Sequence, residues 1–182
     1  GGEPLLHQDL PAIVSGLIAA GRFVYLCTNG LLLEKNLKEY EPSAHLIFSI
    51  HLDGDKAQHD RLANRPGLFD SVLSAIRLLG ESEFKFTVNC TVYKGVRPAE
   101  IGRFFDRVLA LGAKGITVSP GYGHPGSQGG DLFLRRDESK RLFREIFKEG
   151  KGRGWRFNHT SLFLDFLCGN RSYRCTPWAT VT

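Results

Sequence analysis

Short apolar runs and amphipathic segments alternate along the whole chain. The apolar runs are typical of buried strands and fall at 23–27, 45–52, 84–92, 115–118 and 155–158. Between them, apolar residues recur at helical spacing and predict helices at 10–20, 31–40, 69–79, 98–109, 138–147 and 162–167. This unbroken alternation predicts an α/β fold with a parallel sheet and helical crossovers. The pattern fits a closed barrel and an open sheet equally well.

Polar residues mark the helix starts and two long connections. Asp9 and Asp137 precede helical runs and are predicted to cap them, because a carboxylate there can accept free backbone N–H groups. A polar stretch at 55–66 is predicted to be a loop. A second, glycine-rich loop at 124–130 is too long to be a plain connector.

Charge is distributed unevenly along the chain. The 182 residues include 24 Lys and Arg against 19 Asp and Glu, which gives a net charge of +5. Basic residues outnumber acidic ones within 135–156. Such a segment favours lipid head groups or nucleic acid as a partner, although an ordinary solvated helix face has the same composition. No RRM, KH or helix-turn-helix pattern accompanies it, so we expect no nucleic-acid partner.

The cysteines are Cys27, Cys90, Cys168 and Cys175, and none has C-x-x-C or similar spacing. The sequence therefore predicts no metal site within these residues. Cys27 and Cys90 lie in apolar runs, which suits the reduced thiols of a cytoplasmic protein. No apolar run is long enough to span a bilayer, and no signal peptide is visible.

Polar side chains collect at the carboxyl ends of successive predicted strands. They are Thr28 and Asn29, then Ser49, His51 and Asp53, then Asn89 and Thr91, and finally Ser119 and Tyr122, with Gly121 between the last two as a further candidate for binding. Ligands bind at this edge in barrels and in open α/β sheets. Asn29 also fits a simple turn, and His51 also fits an interior histidine with satisfied hydrogen bonds. Taken together, the strand ends predict a ligand site.

The chain opens on Gly1-Gly2-Glu3-Pro4. Two glycines allow a backbone to approach a ligand closely, because no Cβ stands in the way. The Glu3 carboxylate could accept hydrogen bonds from an ammonium group, and Pro4 fixes the direction in which the chain leaves. The alternative is a plain turn before the first helix.

These segments resemble the radical S-adenosylmethionine (SAM) superfamily. The resemblance rests on Gly1-Gly2-Glu3-Pro4, Thr28-Asn29-Gly30 and Ser49-Ile50-His51-Leu52-Asp53-Gly54. It implies a partial (β/α)6 barrel, with the first segment at the methionyl amino group of SAM and the third beside its ribose and methionine. It also implies that 1–134 form the barrel core without the first strand and cluster loop. Residues 135–182 would add the end of the barrel and the start of a family-specific region.

Later blocks are similar to the adenosyl-hopene transferase branch of hopanoid lipid synthesis. They are Phe23 to Asn29, Ser119 to Tyr122, Trp155 to His159, Leu162 to Leu167 and Cys175 to Trp178. This resemblance implies addition of a 5′-deoxyadenosyl radical to the alkene of hopene. It implies a [4Fe–4S] cluster on a C-x-x-x-C-x-x-C loop, expected upstream of Gly1, so that residues 1–182 by themselves would be inactive. The resemblance also implies a one-electron donor, such as a flavodoxin or ferredoxin.

Two hypotheses follow for single features. A thiol donates hydrogen atoms readily, so Cys27 could reduce the carbon radical of the product, although a buried apolar cysteine is an equal alternative. The predicted basic helix near Lys140 to Lys151 and the aromatic stretch 155–166 could contact the inner face of the membrane, although the aromatic residues also suit a core.

Other classes of function remain open at this point. The same barrel could act on another hydrophobic substrate or on a peptide. A phosphate-binding barrel enzyme without a cluster could use His51 and Asp53 for acid–base work.

Overall fold

A parallel sheet with helical crossovers forms the framework of the chain. The computed structural model describes residues 2–123 and 130–173. The strands run in the order β1 (Val24–Thr28), β2 (Leu46–His51), β3 (Lys85–Val92) and β4 (Ile116–Pro120). The helices are α1 (Leu10–Ala19), α2 (Leu33–Asn36), α3 (Lys56–Leu62), α4 (Leu68–Gly80), α5 (Pro98–Ala110), α6 (Arg136–Glu149) and α7 (Ser161–Leu167). The α/β prediction is confirmed.

Some predicted features lie outside the described residues. They are Gly1, the glycine-rich loop at 124–129, and Cys175 with the block that follows it.

The two faces of the sheet differ in chemistry. One face carries buried apolar residues, such as Phe48, Ile50 and Val88, which share a core with α4 and α5. The opposite face, called the polar face below, carries rows of small polar residues. In register across the strands these are Cys27, Ser49 and Thr87, then His51, Asn89 and Thr117, then Thr91 and Ser119. Side chains alternate along each strand, so the sequence that builds the core also builds this polar face.

The predicted fifth strand at 155–158 is wrong, because it shrinks to a single bridge. Phe157 pairs with Ile116, and the Ile116 N–H donates to the Arg156 carbonyl at 2.8 Å. The ladder stops there because the His159 ring lies at the next edge position of β4, beside the backbone of Val118. Its Nε2 lies 3.0 Å from the nitrogen and 2.8 Å from the oxygen of Val118.

The predicted loop at 55–66 is also wrong, because most of it is helix α3. Asp55 caps this helix by accepting from the Gln58 N–H at 3.0 Å. Asp60 then accepts from the N–H groups of Gly67 at 2.8 Å and Phe69 at 2.7 Å, which start α4. Helix α3 escapes a search for apolar periodicity because it is short and mainly polar.

The two predicted aspartate caps do not form as expected. Asp9 occupies the cap position of α1, but its side chain makes no capping hydrogen bond. Asp137 lies inside α6, whose cap is Arg135, and the Glu138 carboxylate accepts from the Arg135 N–H at 2.8 Å. An acidic residue is favourable both at the cap and in the first turn of a helix. The sequence alone therefore does not show which of these two positions an aspartate occupies.

The side of the sheet beyond β1 remains uncovered in the described residues. Within them, β1 pairs with β2 alone. Phe23 and Tyr25 are 69% and 58% exposed, and on α1 Ile13 and Leu17 are also exposed. Exposed apolar side chains along an unpaired strand can pack against another part of a protein.

A latch of polar and aromatic groups joins α5 to the turn after α6. The Trp155 Nε1 donates to Asp106 Oδ1 at 2.6 Å, and Arg153 donates to the other oxygen of Asp106 at 2.7 Å. The Trp155 ring packs edge-on against Phe105, with ring centroids 5.2 Å apart. A Cβ at Gly150 would overlap this ring.

We expect Gly150→Ala to lower the free energy of unfolding by about 1–3 kcal/mol, because the Trp155 ring must move to admit the methyl group. Gly16→Ala in α1 is the matched control. Its Cβ meets nothing within 4 Å, so the helix should gain about 0.5–1 kcal/mol. Urea unfolding measures both. Equal stability of the two variants would contradict this account of the latch.

Candidate active site

Glu3 fastens the N-terminal segment to the end of β1. Its Oε1 accepts from the Thr28 hydroxyl at 2.6 Å and from the Leu5 N–H at 3.1 Å, and its Oε2 accepts from the Asn29 N–H at 2.8 Å. A carboxylate has about four acceptor positions, so these bonds use most of its capacity. Contact of Glu3 with an ammonium group therefore stays a prediction. Its hydrogen bonds to Thr28 and Asn29 hold the neighbouring Gly2 and Pro4 beside β1.

Asp53 joins the ends of β2 and β3. It is 3% exposed, and its Oδ1 accepts from the Thr91 N–H at 2.6 Å. Its Oδ2 lies 3.0 Å from His51 Nε2. Its own N–H donates to Nδ1 of His59, on α3, at 3.1 Å. A buried carboxylate is tolerated only with such partners, so Asp53 fixes the strand end and both histidines together.

The pKa values of the two histidines beside Asp53 are shifted in opposite directions. The hydrogen bond to Asp53 raises the pKa of His51, and Nε2 is then the protonated nitrogen of the neutral ring. Burial lowers the pKa of His59, which accepts through Nδ1 and therefore carries its proton on Nε2 when neutral. Asp53 thus contacts two histidines whose pKa values are shifted in opposite directions.

The predicted residues meet around a cavity of about 350 Å³ at the carboxyl edge of the sheet. Every side chain or backbone segment that lines it was selected from the sequence. They are Gly2, Glu3, Pro4, Cys27, Thr28, Asn29, Ser49, His51 and Asn89. The Cys27 thiol is exposed, which favours the active-edge interpretation over a buried apolar cysteine.

The other predicted residues stand behind or beside this cavity. Asp53 and Thr91 support His51 from the strand ends. Ser119 is in register with Thr91 on β4. Gly121 lies against the Tyr93 ring, where a Cβ would come within 2.6 Å. Tyr122 is 47% exposed, and its hydroxyl lies 3.3 Å from that of Ser139.

A second cavity of about 290 Å³ adjoins the first and contains two residues that sequence reasoning missed. His59 and Tyr93 line it together with Asn29, His51, Asp53, Leu62, Ala63 and Leu68. Tyr93 follows Thr91 by two positions, so continuing the strand-end pattern of β3 would have found it. His59 gives no such signal, because it lies in the helix that its polar sequence assigns to a loop.

Neither metal ligands nor membrane spans mark the described residues. Within 2–123 and 130–173, no group of three or more His, Cys, Asp or Glu side chains could hold a metal ion. In that same part of the chain, helices are too short or too polar to cross a bilayer.

A parallel sheet backed by helices, with polar groups gathered at its carboxyl edge, is the arrangement in which barrels and open α/β sheets bind ligands. The family model of the radical SAM superfamily matches residues 1–108. The chain therefore belongs to that superfamily, which uses SAM and a [4Fe–4S] cluster. A domain of unknown function, DUF3463, matches residues 116–182.

Relatives with assigned names carry out several different reactions. The AdoMet-dependent heme synthase of Methanosarcina barkeri is 36% identical over 120 residues, covering 65% of this chain and 34% of that protein. The GTP 3′,8-cyclase of Aquifex aeolicus is 34% identical over 116 residues, covering 59% of this chain and 36% of that protein. The chain thus spans about a third of the length of these relatives.

Solved structures share the fold. SuiB of Streptococcus suis superposes with a TM-score of 0.77 at 15% identity, covering 97% of this chain and 42% of that one. SuiB bound to S-adenosylmethionine gives a TM-score of 0.71 at 15% identity, covering 96% and 41%. The predicted partial radical SAM barrel is confirmed, whereas the division at 134/135 stays a prediction.

We expect Glu3→Ala to lower the free energy of unfolding by about 1–3 kcal/mol without any ligand, because it leaves the Thr28 hydroxyl and two N–H groups without their acceptor. Glu34→Ala, an exposed acid near the same segment, should change it by less than about 0.5 kcal/mol. Urea unfolding compares them. Unchanged stability of the Glu3 variant would mean that Glu3 serves a ligand alone.

We expect Asp53→Asn to lower the pKa of His51, because the charged hydrogen-bond acceptor is lost. The pKa of His51 is raised above its ordinary value of 6.5 in the folded chain. Its pairing therefore stabilises the fold fully below about pH 6.5 and loses this effect as pH rises through the folded pKa. NMR titration of the His51 ring measures the shift. Asp165→Asn on α7 should leave it unchanged, and an unshifted Asp53 variant would contradict the pairing.

Proposed function

We propose that this chain is the SAM-binding part of an adenosyl-hopene transferase, which joins the 5′-deoxyadenosyl group of SAM to the alkene of hopene. The observation that carries the proposal is an exposed thiol, Cys27, on the wall of a polar cavity at the active edge of a radical SAM fold. Such a thiol suits a reaction that ends with reduction of a carbon radical.

The residues around the first cavity fit SAM. A Cβ at Gly2 would meet nothing within 4 Å, so open space lies beside a backbone that Glu3 holds in place. We assign this backbone to the methionyl amino group. Ser49 and Asn89 supply hydrogen-bonding groups on the same wall for the ribose and methionine, and the His51 ring lies beside them. Asp53 and Thr91 keep His51 in position.

The described residues do not fit a [4Fe–4S] cluster, since they provide no group of ligands for a metal. We propose that its cysteines lie in chain that precedes Gly1 in the whole protein. The uncovered side of β1, with Phe23 and Tyr25 exposed, supports an additional strand and loop at that edge. A flavodoxin or ferredoxin would supply electrons there.

Cys27 would act at the end of the reaction. Addition of the 5′-deoxyadenosyl carbon radical to the terminal alkene carbon of hopene forms a carbon–carbon bond and leaves a tertiary carbon radical. The Cys27 S–H gives its hydrogen atom to that carbon, so the product is closed-shell adenosylhopane and the sulfur becomes a thiyl radical. One electron from the electron donor and one proton from water restore the thiol.

Peripheral contact with the inner face of a membrane would bring hopene to the site of a cytoplasmic enzyme. Lys148, Lys151 and Arg156 are exposed and can face anionic lipid. Phe157 and Phe163 instead pack against the core, so the aromatic stretch contributes less to this surface than its composition suggests. We propose no nucleic-acid partner.

A second candidate is a radical SAM enzyme with another hydrophobic substrate or a peptide. The polar face supports substrates more polar than hopene, since Ser49, Thr87, Asn89 and Thr117 line it. The phosphate-binding alternative is weaker, because neither of the two adjoining cavities has Lys or Arg in its lining.

The test is incubation of the whole protein with SAM, a one-electron reductant and hopene, followed by mass spectrometry. We expect adenosylhopane, and we expect Cys27→Ser to lower its yield by at least about tenfold while SAM cleavage continues. Cys168→Ser, at the cysteine that ends α7, is the control and should leave the yield unchanged. SAM cleavage without adenosylhopane would overturn hopene as substrate, and a normal yield from the Cys27 variant would overturn the role of Cys27.

A further inference from the structure

The second cavity has one polar wall and one apolar wall. His51, His59 and Tyr93 form the polar wall, at the ends of the strands and on α3. Leu62 and Leu68, with Ala63, form the apolar wall. Binding sites for small organic groups combine a mainly apolar lining with a few polar groups that fix orientation.

His59 offers the cavity a hydrogen-bond donor. It is 4% exposed, and its Nδ1 is used by the Asp53 N–H, so its proton is on Nε2. Within residues 2–123 and 130–173, Nε2 makes no hydrogen bond to the protein. Nε2 is not fully enclosed by the protein, so this N–H faces the open space of the cavity and can donate to an acceptor bound there.

His51 offers an acceptor on the same wall. Its Nε2 faces Asp53, which leaves the Nδ1 lone pair available when the ring is neutral. The rings of His51 and His59 lie 6.2 Å apart, centroid to centroid. A ligand group that carries an acceptor and a donor side by side, such as a carboxamide, can address both.

The charges around the cavity favour an uncharged ligand. Its lining contains neither Lys nor Arg, and the Asp53 carboxylate is already engaged by His51 and the Thr91 N–H. Burial raises the pKa of Tyr93, so its phenol keeps its proton at neutral pH. The tight contact of Tyr93 with Gly121 fixes this part of the wall.

The size of the cavity limits the ligand to a small group. A volume of about 290 Å³ corresponds to about ten water-sized volumes, enough for one ring with a short substituent. Asn29 and His51 line both cavities, so the occupant would lie next to the group bound in the first cavity.

We propose that the second cavity is a binding subsite, separate from that for SAM, which takes a small, uncharged, planar group of the carboxamide type. His59 donates to its acceptor atom, His51 accepts from its N–H, and the apolar wall covers its ring. The subsite does not depend on hopene being the substrate.

The probe is nicotinamide, a ring of this size with one carboxamide, added at millimolar concentration to the isotope-labelled whole protein. We expect NMR signals of the His51 and His59 rings to shift, and saturating SAM to leave nicotinamide bound. Ala63→Phe fills the cavity from an exposed position and should weaken binding by at least about tenfold. Ala57→Phe, at an exposed position of α3, should change the affinity for nicotinamide by less than about twofold.

Three results would overturn the subsite. They are the absence of any shift, displacement of nicotinamide by SAM, and unchanged binding to the Ala63 variant. Because the measurement is of binding alone, a failure here is distinguishable from a failure to form adenosylhopane.

Discussion

The buried carboxylate of Asp53 is the constraint on which the active edge depends. A charge without water must be surrounded by hydrogen-bond donors, and Asp53 finds them in the Thr91 N–H and the His51 ring. Its own N–H holds His59. The side chain and backbone N–H of this one residue therefore set the relative positions of two strand ends and a helix. Glu3 does the same for the N-terminal segment and β1, through the Thr28 hydroxyl and the Asn29 N–H.

One face of the sheet packs in the core, and the opposite face carries the polar side chains. Phe48, Ile50 and Val88 make the core with the helices, while Ser49 and Asn89, their neighbours along the strands, open onto the polar face. Alternation of side chains makes this division unavoidable once one face is buried. The loops and strand ends beside the polar face complete the binding site. Variation in these segments allows one barrel fold to support many reactions.

Membership of the radical SAM superfamily defines the shared chemistry, and the surrounding residues define what is particular to this chain. The relatives include a heme synthase and a GTP cyclase, so the fold by itself does not select an acceptor for the radical. Around the shared fold, this chain carries the exposed Cys27 thiol, the pair of histidines around Asp53 and the apolar wall beside them. These residues carry the proposals for hopene and for a second subsite.

The sequence by itself determined the α/β class, the parallel sheet and most of the first cavity. Strand periodicity is local, and every parallel strand delivers its carboxyl end to the same edge, so Ser49, His51 and Asn89 could be grouped without coordinates. Tertiary structure alone decided how these groups are used. The Glu3 carboxylate uses most of its hydrogen-bond acceptor positions within the protein. The Asp53 carboxylate accepts a hydrogen bond from β3. His59 lies on α3, a mainly polar helix that apolar periodicity does not reveal. His159 lies at the edge of β4, where the sequence predicted a fifth strand. Hydrogen bonds between distant segments depend on the folded path of the chain, which no local pattern records.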